Sequence, residues 1–435
     1  MRIKLILLFL LISGVSLYGQ TKLDFKTVDS KTYSYYQNAQ WDSLIDIGKQ
    51  AHRNGIDYYY LNYRIGVAYF YKKNYRKAAV YLQEAINQNQ QALQDEYLVE
   101  LLHLSYVYGQ RSDLAMDVSL PDSSNTTDPL TKSQISVLFG QGQFLNVLNS
   151  DIQLPTTIEY AELRYQKYMM YIGFDVQHRF SSSFNLEAGY VNMRFMNEGI
   201  FQQDSIVENE YYDFYQNNFF FLPEFSLGKY WQIRPALSVS ISKGSPYAII
   251  DTINGSKVFG TWDYHQLNAM LGLNVYRHIK NVKIGLNMGI SNYHKRPQIQ
   301  FGGNATYYPF GNLNLYTYTA LSLKMEDGNK DLIFQQMIGF KTTSILWIEL
   351  GGIFGKLKNY SDYSLAYGYN IPDDLSTKLY AKLILVFGNN INLFFEGQYL
   401  IKQTRRHEYY INGDFVDTKI NYSQRNITGG LLWKF

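Results

Sequence analysis

The sequence predicts an α + β chain: a short α-helical repeat domain followed by an antiparallel transmembrane β-barrel of about 14 strands, with 12 and 16 as the neighbouring even counts. Three observations carry this. The apolar period changes from helical to two near residue 130. Aromatic residues make up 17% of the chain, with 41 Tyr, yet no segment beyond the N-terminus reads as a membrane-spanning helix. The chain also ends on an alternating stretch, NITGGLLWKF, where a frayed polar tail is the usual finish.

The opening residues, MRIKLILLFLLISGVSLYGQ, read as a secretory signal peptide over 1–19. Arg2 and Lys4 form the positive region, an apolar run follows to Leu17, and the small Gly19 precedes Gln20. The run falls short of the roughly 20 apolar residues a span needs. With no cysteine, the sequence gives no expectation of a lipid anchor on Cys, of disulfides or of thiol catalysis. A net charge of +3 gives no expectation of a nucleic-acid partner. A secreted, Tyr-rich chain without spanning helices leaves the closed barrel as the route into a membrane.

Residues 20–118 form the helical domain. Over 60–89, YLNYRIGVAYFYKKNYRKAAVYLQEAINQN, residues Ile65, Gly66 and Tyr69 share one helix, and Ala78, Leu82 and Ala85 the next. This resembles the tetratricopeptide repeat, in which small residues let paired helices approach. Asn62 stands where that family has Trp, and Gln90 where it has Pro. Tyr35 and Tyr69, Trp41 and Tyr75, and Ala51 and Ala85 are each 34 residues apart, the period of the repeat. A weaker third copy runs over 96–117, with Leu102, Tyr106 and Ala115 in matching roles. The resemblance implies a small solenoid that docks a partner protein.

Residues 119–130, with two prolines, read as a linker, and 131–435 as the barrel. The hairpin over 375–402 shows the plan. Leu379, Leu383 and Phe387, then Ile391, Phe395 and Tyr399, line one face; Lys378, Lys382, Glu396 and Gln398 line the other. In a barrel the apolar face meets lipid and the polar face lines the lumen. Tight turns fall near Ser182, Lys229, Asn281, Asn312, Thr343 and Asn389. Longer polar connections cover 197–211, 243–261, 358–374 and 405–420. Short turns on one rim and long loops on the other is the outer-membrane arrangement. Thirteen strands lie between 165 and 435. Parity requires one more, which 133–144 supplies with Ile135, Val137 and Phe139.

No catalytic motif is apparent and no cofactor is expected. None of the seven His sits at metal-ligand spacing with another. An enzyme is not expected; its nearest form is an outer-rim lipid- or peptide-hydrolysing centre using His294, His407, Ser291 or Asp362. The predicted lumen charges are Lys382, Glu396, Asp175, Arg179, Glu187, Arg234 and Glu349, with Lys382 directly across from Glu396. They either brace the wall or line a polar path. Tyr211, Tyr212, Tyr215 and 219–221, with Tyr307, Tyr308 and Phe310, are assigned to the interfacial girdles. In the loop over 359–370, Tyr360, Tyr363, Tyr367 and Tyr369 are candidate outer-loop ligand contacts. Their rings are suited to stacking on sugar faces, to binding a protein or to packing over the mouth.

In outline the chain resembles the exporters of bacterial surface polysaccharide, which join tetratricopeptide repeats to a barrel, and in composition it resembles proteins of the Bacteroidetes type. The final strand, with Ile427, Gly429, Leu431, Trp433 and Phe435 on one face, resembles the closing signal of outer-membrane barrels. These resemblances imply a bacterial outer-membrane location with the helical domain in the periplasm. They imply outer-membrane lipid, barrel-assembly machinery and a periplasmic protein as partners, and a polysaccharide as candidate cargo. The expected function is a channel or export component. The alternatives are a non-conducting scaffold in a secretion, motility or envelope-assembly complex, and the rim enzyme.

Overall fold

The computed structural model describes residues 23–122, 128–146, 158–203, 206–253, 256–369 and 373–435. The expected signal peptide and part of the expected linker lie outside them. Five helices come first: α1 (Phe25–Gln37), α2 (Trp41–Arg53), α3 (Tyr59–Tyr71), α4 (Tyr75–Gln88) and α5 (Glu96–Tyr108), then the single turn α6 (Ser112–Ala115). Side-chain caps set several starts. Asp24 accepts from Thr27 N at 2.8 Å, and Asp95 from Leu98 N at 3.1 Å.

The helices repeat themselves physically. α3 and α4 each begin 34 residues after α1 and α2. The same turn closes three successive pairs. Ala39, Lys73 and Gln110 all take positive φ, at 50°, 57° and 61°. Gln40, Asn74 and Arg111 then each donate a backbone bond of 2.8 Å to Tyr35, Tyr69 and Tyr106. Leu44, Ile65, Ala78, Leu82, Ala85, Leu98 and Leu102 are at most 1% exposed and form the core between the pairs. A Cβ on Gly66 would sit 2.7 Å from the Leu82 side chain, so this contact depends on glycine.

Fourteen strands make a closed antiparallel barrel. In chain order these are β1 (Ser133–Asn146), β2 (Ile158–Arg179), β3 (Phe184–Gln203), β4 (Ile206–Leu227), β5 (Trp231–Gly244), β8 (Tyr264–Ile279), β9 (Val282–Ser291), β10 (Gln298–Tyr307), β11 (Leu315–Glu326), β12 (Asn329–Lys341), β13 (Leu346–Phe354), β14 (Asp374–Phe387), β15 (Ile391–Tyr410) and β16 (Phe415–Lys434); β6 (Tyr247–Ile253) and β7 (Ser256–Thr261) form a separate hairpin. The barrel closes where β1 meets β16: Ile135 lies opposite Trp433, and Ser133 and Phe435 exchange backbone bonds of 2.9 Å. A closed sheet leaves no unpaired edge in the membrane.

Sidedness decides which solvent the barrel was built for. Leu267, Leu286, Met288 and Ile427 are 58–66% exposed on the outside, whereas Asn268 and Asn274 are fully buried and Gln300 is 1% exposed inside. A soluble sheet buries the opposite set. An apolar exterior around a polar interior is stable in lipid.

The loops differ from the sequence reading in three places. Residues 197–211 and 405–420, read as loops, are mostly the extended tips of the β3–β4 and β15–β16 hairpins, and 243–261 contains β6 and β7. These strands mix apolar and polar residues without a sustained alternation, as in YAIIDTI of β6, so period two does not mark them. One connection on the long-loop rim, Asp327 and Gly328, is a two-residue turn between β11 and β12.

The helical domain rests on the short-turn rim. Arg76 of α4 lies 4.0 Å over the Tyr308 ring, and its backbone N–H donates to Gly311 O at 3.2 Å. Its guanidinium donates to Lys280 O at 3.4 Å, and Asn312 Nδ2 donates to Lys73 O at 2.8 Å. Gly311, at φ 67°, lies against the start of α4. A Cβ there would lie 1.9 Å from Asn74 Oδ1.

Candidate functional site

The lumen is the site, and its largest occupant is the chain itself. The connection from β13 to β14 turns inward over its described residues 355–369. It forms a small hairpin in which Ser361 bridges Gly368 and the Tyr360 and Tyr369 rings stack at 6.3 Å. Asp362 organises the tip: its carboxylate accepts from Ser364 Oγ at 2.7 Å, Ala366 N at 3.1 Å and Tyr367 N at 3.2 Å. Leu365 at the apex has φ 61°.

The barrel wall is cut to receive this tip. Asn274 and Asn287 donate to the carbonyls of Ser364 and Tyr363 at 3.2 and 3.1 Å. Ser238 donates to Ala366 O at 3.0 Å, and Gln300 to Ser361 O at 3.0 Å. Beneath Leu365 the wall carries Gly272 and Gly289. A Cβ on Gly272 would fall 2.2 Å from Leu365 Cδ1. A small apolar patch of Phe220, Leu222, Ala236 and Met270 receives Leu365 and Ala366. At the neck of the loop, Lys324, 2% exposed, donates to Lys358 O at 2.6 Å. Asn359 donates to Glu326 at 2.8 Å.

The loop thus fills the lumen against β5 and β8–β11 and leaves the opposite half open. There a cavity of about 570 Å³ is walled by β1–β4 and β14–β16 together with Asp362, Tyr367 and Tyr369 of the loop. A second cavity, about 640 Å³, lies below it between the helices and the short-turn rim. A third, about 270 Å³, shares Phe195 and Gln216 with the first and reaches Trp262 and His294 near the long-loop rim. Consecutive inward residues of β1, Gln134 and Ser136, line the lower and middle cavities in turn. The three therefore stack along one side of the barrel. Over the long-loop rim β15 separates from β14 after Gln403, and Arg406–Tyr410 pairs with the outer end of β2.

The predicted lumen charges take up several roles. Lys382 stands in register between Glu349 and Glu396, with its Nζ 4.7 Å from the Phe394 ring centroid. Asp175, Lys382 and Glu396 line the 570 Å³ cavity. Arg234 pairs with Glu187 at 2.6 Å and Arg179 with Glu224 at 3.1 Å, while Glu349 accepts from Tyr316. Sequence reasoning set Lys378 and Lys402 on the inward face of their hairpin without counting them among the lumen charges, and passed over Lys324, which the same alternation turns inward. Lys402, 2% exposed, donates to Gln166 at 2.6 Å.

The four loop tyrosines are not at the outer surface. Tyr360 is 1% exposed, and Tyr363 hydrogen-bonds Asn304 within the lumen. Two buried apolar clusters, around Leu365 and around Tyr360, hold the loop down. The girdle assignment is also corrected in part. Tyr211, Phe219, Phe221, Tyr307 and Phe310 are exposed on the outside, whereas Phe220 packs against Tyr367 at 5.0 Å and Tyr308 lies under Arg76. The rim residues considered for hydrolysis have separate partners. His294 bonds Asn359 at 2.8 Å, His407 lies 3.5 Å from Asp417, and Asp362 holds its own loop. Among the described residues no group of three metal-ligating side chains comes together.

Fourteen closed strands with an apolar band outside and a polar wall inside define a transmembrane β-barrel of the outer-membrane type. No protein-family model matches the sequence, and no curated protein does. Among solved structures, the Ralstonia pickettii toluene transporter TbuX is similar at 7% identity and TM-score 0.46, covering 70% of this chain and 90% of that one. A Pseudomonas aeruginosa FadL homologue is similar at 7% and 0.45, with the same coverage of 70% and 90%. A bacterial polysaccharide outer membrane secretin is similar at 8% and 0.33, over 70% of this chain and 99% of that one. The likeness is one of barrel architecture.

Proposed function

We propose that the protein is a channel or export component of the bacterial outer membrane, gated by the loop at 355–373. On this reading the helices are tetratricopeptide-like, lie in the periplasm and dock a partner protein, with a surface polysaccharide as candidate cargo. The observation that carries it is the file of three cavities beside the loop, running from one rim to the other, with charged and amide side chains in the lower one and both polar and apolar side chains in the two above it. A wall that served only to brace the sheet has no need of open volume along its whole height. The position of the helices supports the periplasmic assignment, since short turns face the periplasm in outer-membrane barrels.

A second reading is favoured by the fit of the loop itself. Five strands hold it, and β15 crosses to β2 over the far rim. This suits a non-conducting scaffold. Solute release from liposomes separates the two. A channel releases small oligosaccharides once 358–370 is replaced by a short Gly-Ser turn, and shows a smaller, saturable flux with the loop intact. If the intact chain passes nothing under any voltage or osmotic gradient, the scaffold reading stands. Affinity capture with the full chain, against a chain lacking 20–118, tests the docking; the same proteins recovered on both would sink it.

A further inference from the structure

The lower cavity has a chemistry of its own. It exists only because the helices sit on the barrel. Lys73, Tyr75 and Tyr108 line it from one side, and inward residues of β1, β2, β12 and β16 from the other. Five cations face it: Lys73, Lys132, Arg179, Lys341 and Lys434. None of its described lining residues is Asp or Glu. Arg179 is neutralised by Glu224, at 3.1 Å from the side. The four lysines make no ion pair among the described residues. Like charges gathered around one cavity repel one another, and an arrangement of this kind is favourable when an anion occupies it.

Two further features narrow the ligand. Trp347 is fixed by its indole N–H, which donates to Leu313 O at 3.2 Å, and Lys341 lies 4.3 Å over its ring. Flat rings held beside cations suit the faces of sugar rings. The rest of the lining is rich in amides, including Gln110, Asn314 and Asn389. Asn185, 3% exposed, faces the cavity with its Oδ1 lacking a hydrogen-bond partner. An unmet acceptor of this kind takes a hydroxyl donor from a ligand.

We propose that this vestibule binds a segment of an acidic glycan, with carboxylate or phosphate groups between the lysines and sugar faces against Trp347 and Tyr108. The proposal rests on reading the stacked cavities as a transport path, and it adds the charge and class of what enters. The binding site spans both domains, so the helical domain contributes to the entrance as well as to docking.

The test uses the full chain in detergent micelles, with octagalacturonate, its neutral methyl ester and inorganic polyphosphate as probes. The acid binds, the ester binds at least about tenfold more weakly, and polyphosphate of equal charge binds more weakly than the acid. Replacing Lys132, Lys341 and Lys434 together by Gln weakens the acid by about tenfold, and replacing them by Arg retains it. Heat-modifiable gel mobility confirms that each variant holds a folded barrel. Lys132→Gln alone, on an exposed side chain, gives a smaller loss in the same direction. Absence of binding by the wild-type chain, equal binding of acid and ester, equal binding of polyphosphate, or indifference to the lysines overturns the proposal. Conductance of the same samples keeps the two readings apart. A barrel that conducts without binding refutes the glycan alone, and one that binds while silent refutes the channel alone.

Discussion

Asp113 shows how a single side chain fixes the start of the last helical turn. It is 1% exposed and receives two bonds from Arg111, at 2.9 and 2.8 Å. Burial alone pushes its carboxyl pKa up, but the hydrogen bonds and charge of Arg111 outweigh this and hold it below the ordinary carboxylate range. The sign follows from linkage. The stabilisation is complete above the unfolded carboxylate pKa of about 3.9 and is lost as pH falls through the lower folded value. We expect Asp113→Asn to destabilise the helical domain by about 3 kcal/mol at pH 7, because Arg111 is left buried without its charge partner. Thermal melts followed by circular dichroism should show wild type and variant converging as pH falls below the unfolded carboxylate value and through the lower folded one; parallel curves across that range would contradict the assignment. Arg111 and Asp113 stand two apart in a plain sequence, and nothing there marked them. Lys382 and Glu396 were legible because a three-residue turn fixes the register of the strands that carry them.

The repeats and the strands were legible for opposite reasons to the loops. Helix pairs recur through a turn that fixes three hydrogen bonds in the same place, so a 34-residue period in Tyr and Ala survives divergence elsewhere. Gly66 meets Leu82; one repeat earlier the glycine is Gly48, at Leu82's own position, and it meets Ile65. The Gly66 contact joins α3 to α4 within one repeat, whereas the Gly48 contact joins α2 to α3 between repeats, and this hid the first copy's packing residues. Gly66→Val should destabilise the helices by about 2 kcal/mol by overpacking, leaving the barrel's heat-modifiable mobility unchanged. A loss of barrel folding in that variant would show that the two parts do not fold independently. The closing strand makes a separate demand. Removing 433–435 deletes the Trp433 pairing with Ile135 and the Phe435 bonds to Ser133. Folded, protease-resistant barrel in the membrane fraction should fall by at least about tenfold; wild-type levels would show that closure does not depend on these residues. The inward course of 355–369 was not legible, because a run of Tyr, Ser and Gly reads as an exposed loop until the small residues of the facing wall are known.

Taken as one object, the molecule is a barrel whose entrances are managed by its own chain: helices over the short-turn rim, β15 crossing to β2 over the long-loop rim, and a loop between them filling half the lumen. The central claim is that this loop governs passage. The absence of cysteine allows a clean lock. The Cβ position of Gly272 lies 3.3 Å from Leu365 Cβ, close to the roughly 3.5–4.5 Å of a disulfide. Single-channel recording of the Gly272→Cys, Leu365→Cys chain in planar bilayers is the most direct measurement. The account predicts no openings while the pair is oxidised, and openings like those of wild type once reductant is added. Equal conductance before and after reduction, with the disulfide confirmed by mass, would show that the loop is not the gate.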